Sequence, residues 1–312
     1  MNWETCLVEE WEMESLIKYN HVIEVKGNPL TPNAGVEIHT STGKRYNAIY
    51  DAELKGIRKL NTDNPQFKDM QNRDLVLYND LLANPSVNTI IVDGFFGTGK
   101  TSTVSAHLIH GLEKELRNEE GICKAYISKP HVGIGQGYGY LPGDLHAKTL
   151  EEFKSFTQYF DRFGSPGFAD MLLMRSVEEE SRFTKQRVAD FEEQKGLVAP
   201  MLEILPFEYL RGRDIPEGWV ILDEAQNTNE AEMASFVSRV GDDAKMIILG
   251  DSTSTQIDRR GNTSVKNGLA FAKETFADKK YAGYVELQSL SHILRGERVR
   301  DLLRHMKKMT IV

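Results

Sequence analysis

The sequence predicts an α/β fold: a mostly parallel sheet with helices on both faces, and a small β-rich region ahead of it. Three observations carry that expectation. The runs TIIVDG at 89–94, WVILDE at 219–224 and KMIILGD at 245–251 are mostly apolar and end in acidic residues or glycine. Such runs are expected of strands buried on both faces whose carboxyl ends line a site. Helix-compatible stretches separate them, as parallel neighbours require of their connections. Residues before about 75 have another texture, with HVIEVKG, GVEIHTSTG and KRYNAIYD reading as short strands joined by polar turns.

The 312 residues suffice for one large α/β domain and an appendage around a substantial core. We divide them into a β-rich region at 1–65 and a core at 66–312. The appendage either covers an edge of the core or binds substrate. With 40% hydrophobic and 27% charged residues the chain falls outside the disordered class. A formal charge of -8 argues against nonspecific coating of nucleic acid but leaves room for a local basic channel. Cys6 and Cys123 are too few for a disulfide scaffold or a cysteine zinc site. The start, MNWETCLVEEWEME, is acidic and lacks the apolar centre of a secretory signal. No stretch reaches transmembrane length, so no membrane partner is expected and a cytoplasmic location is the default.

Along the core, the spacing of Met70, Leu75, Leu77 and Leu81 predicts a helix over 67–82 leading into the first core strand. A helix follows over 102–116, then a strand at 125–128 and the glycine-rich VGIGQGYGYLPGD at 132–144. The latter does not have dinucleotide-fingerprint spacing and reads as a long functional loop. Residues 146–198, rich in Glu, Lys, Phe and Leu, read as a mostly helical insertion broken by GSPG at 164–167. A last strand-like run at 284–287 precedes the basic helix RGERVRDLLRHMKK.

The most specific local signal is Gly94-x-x-x-x-Gly99-Lys100-Thr101, delivered by an apolar strand into a helix. In this spacing the backbone of Gly94, Phe95, Phe96, Gly97, Thr98 and Gly99 turns amides toward phosphate oxygens. Lys100 reaches the outer phosphates, the Thr101 hydroxyl can ligate magnesium, and Ser102 sits in the helix's first turn, which attracts anions. Asp223 ends an apolar strand and is placed to hold magnesium, while Glu224 can orient or deprotonate an attacking water. Asp251 ends the next strand, either sensing phosphate or capping a turn. Charge on transferring phosphoryl oxygens calls for a guanidinium, with Arg211, Arg213, Arg239, Arg295 and Arg298 as the candidates near strand ends.

Taken in order, GFFGTGKT, SKP at 128–130, YLPGD at 140–144, YLRGRDIP at 209–216, ILDEAQN at 221–227, SRVG at 238–241, and LGD with the later QID at 249–258 resemble the PhoH-like ATPases. That family is related in its core to superfamily 1 helicases, and the resemblance spans about 66 to 310. It implies a RecA-like core, ATP binding and magnesium-dependent hydrolysis. It also implies a homo-oligomer assembled as a ring, with a hexamer as one candidate size, in which a neighbour can supply an arginine. RNA or another single-stranded nucleic acid is the implied partner. Carried onto this chain, Lys100 and Thr101 bind phosphate and metal, Asp223 and Glu224 hold metal and activate water, and Gln256 resembles the γ-phosphate sensor. Gln71 takes the place of the adenine-reading glutamine, with Gln66 competing, and Arg295 matches the late arginine, with Arg298 second. Two departures stand out: extra residues between Asp251 and Gln256, and Phe95-Phe96 where the family has smaller residues. No nuclease-type carboxylate cluster precedes the core, so neither a fused PIN-type ribonuclease domain nor RNA cleavage is expected. Two other readings compete: a nucleotide-gated protein-interaction module in which hydrolysis is incidental, and, more weakly, a small-molecule kinase.

Overall fold

The computed structural model describes residues 3–25, 30–62, 72–116, 121–122, 124–130, 154–164, 201–205, 207–210, 212–253, 257, 262–263 and 266–310. The glycine-rich loop, most of the 146–198 insertion, Cys123, Arg211, Gln66, Gln71 and Gln256 lie outside the described residues.

The N-terminal unit is a five-stranded mixed sheet. Its strands are β1 (Trp3–Leu7), β2 (Ile23–Glu24), β3 (Gly35–His39), β4 (Arg45–Asp51) and β5 (Gly56–Lys59), in the order β1-β3-β4-β5-β2. Helix α1 (Glu10–Tyr19) covers it, burying Met13 and Leu16 against Val36, Ile38, Ala48 and Ile57. The acidic opening therefore folds as strand and helix. Its Glu9–Glu12 capping box starts α1, a signal carried by glutamates rather than the usual Ser or Thr.

The second sheet is entirely parallel, in the order β11-β6-β10-β9-β7-β8. Its strands are β6 (Thr89–Gly94), β7 (Lys124–Ser128), β8 (Met201–Ile204), β9 (Ile215–Leu222), β10 (Val240–Gly250) and β11 (Ala282–Leu287). Side chains alternate between faces along a strand. Ile90 and Val92 of β6 accordingly join the core beneath α2 (Arg73–Ala83), α3 (Lys100–Leu116) and α4 (Lys154–Phe163), while Ile91 joins the opposite one. There α5 (Glu230–Val237) and α6 (Gly268–Phe276) contribute Met233, Phe236, Leu269 and Ala272. Helix α7 (Glu297–Thr310) closes the described chain. The expected sheet with helices on both faces is thus present. Its strands are longer than their apolar runs, because parallel pairing continues into 215–218 and 240–244. The helix read over 67–82 is described only from Arg73, where Asn72 caps it.

The two sheets meet through buried polar contacts. Asn33 donates to the carbonyls of Lys280 and Ala282 at 2.7 and 2.8 Å, beside the edge strand β11. Arg58 binds both Asp80 oxygens on α2, at 2.8 and 2.9 Å, and Asp51 at 2.6 Å. Trp3 donates its indole N–H to Asp74 at 2.6 Å. Of the two readings of the N-terminal region, covering the core edge is what these contacts do.

Candidate nucleotide site

Sheet order determines which residues meet. Strand β10 lies between β6, which carries the phosphate loop, and β9, which carries the acid pair. Whatever follows β10 therefore stands between phosphate loop and acids, at the carboxyl ends where open α/β sheets bind ligands.

The loop itself is shaped by Gly97 at φ 78° and Gly99 at φ 94°, where a side chain would be strained. The buried Thr98 hydroxyl donates to the Phe95 carbonyl at 2.8 Å, and Ser102 Oγ donates to the Gly99 carbonyl at 3.2 Å. Lys100 Nζ donates to the carbonyls of Gly94 and Phe95 at 2.6 and 3.1 Å, so the ammonium lies along the loop. Helix α3 begins at Lys100, and the first-turn N–H groups of a helix have no intrahelical acceptor.

The two phenylalanines, which stand where the family has smaller residues, pack against the C-terminal part of the chain. Phe95 is buried with Ile293 and Leu303, and Phe96, Leu290 and Val299 pack on that cluster. Phe95 thus serves the loop through its backbone while its ring fastens α7. The Leu294 amide donates to the Gly97 carbonyl at 2.8 Å. A Cβ on Gly97 would lie 3.2 Å from Arg295 Cδ, so the Arg295 stem rests on the loop of its own chain. Arg298 is exposed on α7. Of the other arginines, Arg213 pairs with Glu203 at 2.5 Å and Arg239 with Asp214 at 3.5 Å, both occupied away from the loop.

Thr101 and Asp223 are brought together from 122 residues apart, with Thr101 Oγ1 donating to Asp223 Oδ2 at 3.3 Å. Burial, reinforced by the neighbouring Glu224 carboxylate, raises Asp223 to about 6. Such a buried, under-compensated acid beside a threonine hydroxyl fits a hard cation's preference for oxygen ligands. Ser128 Oγ and Asp251 Oδ2 are buried nearby with no hydrogen-bond partner; the Ser128 carbonyl accepts from the Asp223 amide at 2.9 Å.

Glu224 has φ 56° and ψ 38°, the left-handed region, which is costly for a residue with a Cβ and is a mark of functional sites. Gln226 Nε2 donates to Glu224 Oε2 at 2.6 Å, and Gln226 Oε1 accepts from the Asp251 amide at 3.0 Å. Asp251 Oδ1 in turn accepts from the Thr253 amide at 3.0 Å, so it does cap a turn. Burial raises the Asp251 carboxyl, with Thr253 opposing. Nothing local in ILDEAQN marks Gln226; its bridging role needs the β9–β10 neighbourhood to become visible.

A cleft of about 720 Å3 lies at the opposite pole, lined by His107, His110, Lys114, Trp219 and Lys245. Lys245 there donates to the carbonyls of Leu81, Leu82 and Asn84, capping α2. Burial, aided by Lys245 and His110, pushes His107 down to about 3, so this imidazole is neutral and bonded to Asn79. Lys245 and His107 are thus engaged with α2.

A parallel sheet of order β11-β6-β10-β9-β7 with a phosphate loop after β6 and an acid pair after β9 defines a RecA-like phosphate-loop NTPase core. The chain belongs to the PhoH-like protein family, whose model matches residues 71–307. The PhoH-like protein of Bacillus subtilis (strain 168) is 33% identical over 178 residues, covering 57% of this chain and 46% of that protein. Protein PhoH2 of the same organism is 28% identical over 286 residues, 89% of this chain and 56% of that one. Protein PhoH of Escherichia coli (strain K12) is 27% identical over 205 residues, 66% and 49%. The chain therefore spans about half the length of the curated relatives it matches. Among solved structures, that of the PRRSV helicase aligns at 13% identity and a TM-score of 0.29, covering 86% of this chain and 44% of that one, too weak a likeness to argue from. Among the described residues no helix is long and apolar enough to cross a membrane.

Proposed function

We propose that the chain is a magnesium-dependent ATPase whose hydrolysis is coupled to RNA or another single-stranded nucleic acid. The observation that carries this reading is the meeting of Thr101 with Asp223 beside a left-handed Glu224, at the mouth of the phosphate loop. Magnesium held by Thr101 and Asp223 would neutralise charge on phosphate oxygens. Lys100 and the amides of 97–101 bind and orient the phosphates. Glu224 has Oε2 engaged by Gln226, leaving Oε1 to accept a proton from the attacking water. Arg295, whose stem lies on its own loop, and Arg298 are both exposed, and either is a candidate to reach a neighbour's phosphates in a homo-oligomeric ring. Gln71 and Gln256 keep the base-reading and γ-phosphate-sensing roles the family resemblance implies, and the boundary between β-rich region and ATPase domain falls at 65/66.

Steady-state ATP hydrolysis with magnesium, measured with single-stranded RNA, single-stranded DNA or neither, tests this reading. Turnover stimulated several-fold by one polymer is expected, roughly 1 kcal/mol or more of coupling. Nucleotide binding without turnover in all three conditions would favour the nucleotide-gated interaction module instead.

A further inference from the structure

Asp93 is a charged residue, last but one in a strand every residue of which is buried. Its fully buried carboxylate accepts from the Ser252 amide at 2.9 Å, the Ser252 hydroxyl at 2.6 Å and Lys273 Nζ at 2.7 Å. Ser252 Oγ also accepts from Gln288 Nε2 at 3.1 Å, and the Lys273 ammonium lies 4.8 Å from the centre of the Tyr284 ring. Against the cost of burial, Lys273 and the Ser252 donors hold the Asp93 carboxyl below its ordinary range. Three strand ends and α6 are thus tied at one point.

Neither the phosphate loop's spacing nor its helix needs an anion at position 93. A buried ion pair is also weak evidence for stability, since apolar replacements are often neutral or better. What this pair does is geometric. Ser252 follows Asp251, whose amide binds Gln226, which holds Glu224. A path of covalent and hydrogen bonds therefore runs from Lys273 and Asp93 through Ser252, Asp251 and Gln226 to the Glu224 carboxylate.

We propose that Asp93 is a positioning residue for hydrolysis: by holding Ser252 it fixes the chain leaving β10 and, through the Asp251 amide and Gln226, the Glu224 carboxylate. The proposal rests on the reading of Glu224 as the water activator. Its test uses the full chain and the variants Asp93→Asn, Ser252→Ala and the two combined, measuring kcat, KM for ATP, ADP affinity and Tm. Each single change is expected to lower kcat about tenfold by displacing a reacting group. KM and ADP affinity should stay within about twofold, the split expected for loss of an interaction used only in the transition state. The combined variant should be little worse than either alone, because one path is broken once. Unchanged kcat, additive losses, or a fall in kcat that merely follows ADP affinity and Tm would overturn the proposal. If Asp93→Asn does not fold, Ser252→Ala decides, since it removes one hydroxyl and leaves the ion pair. Wild type and Glu224→Gln run alongside: Glu224-dependent turnover with unaffected variants overturns the positioning role alone. Absence of such turnover in wild type removes the hydrolysis reading and this proposal with it.

Discussion

The burial of Asp223 works against the nucleotide-free fold. Its folded pKa, about 6, lies above the ordinary 3.8, so folding favours the protonated carboxyl. That contribution is present below pH 3.8 and is lost as pH rises through about 6, above which the buried carboxylate is a standing cost. Asp223→Asn keeps an acceptor for the Glu224 amide and removes the charge. Denaturant unfolding without nucleotide should show the variant more stable than wild type by about 1–3 kcal/mol at pH 7.5. The gain should vanish near pH 4, while hydrolysis is lost; an equal gain at both pH values would contradict the burial argument. The spacing of the phosphate loop and the acids ending an apolar strand made Lys100, Thr101, Asp223 and Glu224 legible as candidates, and the fold brings Thr101 and Asp223 within hydrogen-bond reach. The left-handed backbone of Glu224 was not, because nothing in Asp-Glu-Ala-Gln requires it locally.

Among the elements, α7 is joined to the phosphate loop more closely than chain order suggests. Leu303 packs on Phe95, and the Leu294 amide holds Gly97, so the loop's conformation is supported from outside the β6–α3 unit. Leu303→Ala should destabilise the fold by about 2–5 kcal/mol, the usual range for a buried leucine. It should also weaken ATP affinity roughly fivefold, because a less ordered loop must be ordered on binding. Leu16→Ala, equally buried but in the N-terminal core, should cost similar stability and leave affinity unchanged. Equal effects on affinity, read by nucleotide titration, would show that α7 gives the loop no particular support. The basic helix at 295–308 was legible as a helix; its target was not, since Phe95 and Leu303 are partnered only by tertiary packing. Asp93 with Ser252 and Lys273, 159 and 180 residues apart, is hidden for the same reason, though a charge in a buried strand was the available signal.

For the whole molecule, Arg58, Asn33 and Trp3 tie the N-terminal sheet to the core, so the two are expected to unfold as one cooperative body. Arg58→Met leaves Asp80 and Asp51 without their cation and should cost about 3–5 kcal/mol, as breaking a buried pair does. Calorimetry should show one transition in wild type; two separate transitions would show that the sheets fold independently. The sequence carried the class of both sheets through periodicity, but not their junction, because Asn33 and Lys280 are joined across 247 residues. The order β11-β6-β10-β9 was likewise unreadable from any strand alone, yet it places Glu224 and Asp251 across from the phosphate loop. The proposed hydrolytic site unites these groups. Its most direct test compares wild type with Glu224→Gln for both ATP affinity and single-turnover hydrolysis in magnesium. Retained affinity with hydrolysis reduced about 100-fold or more is the expected result; hydrolysis at the wild-type rate in the variant would contradict it.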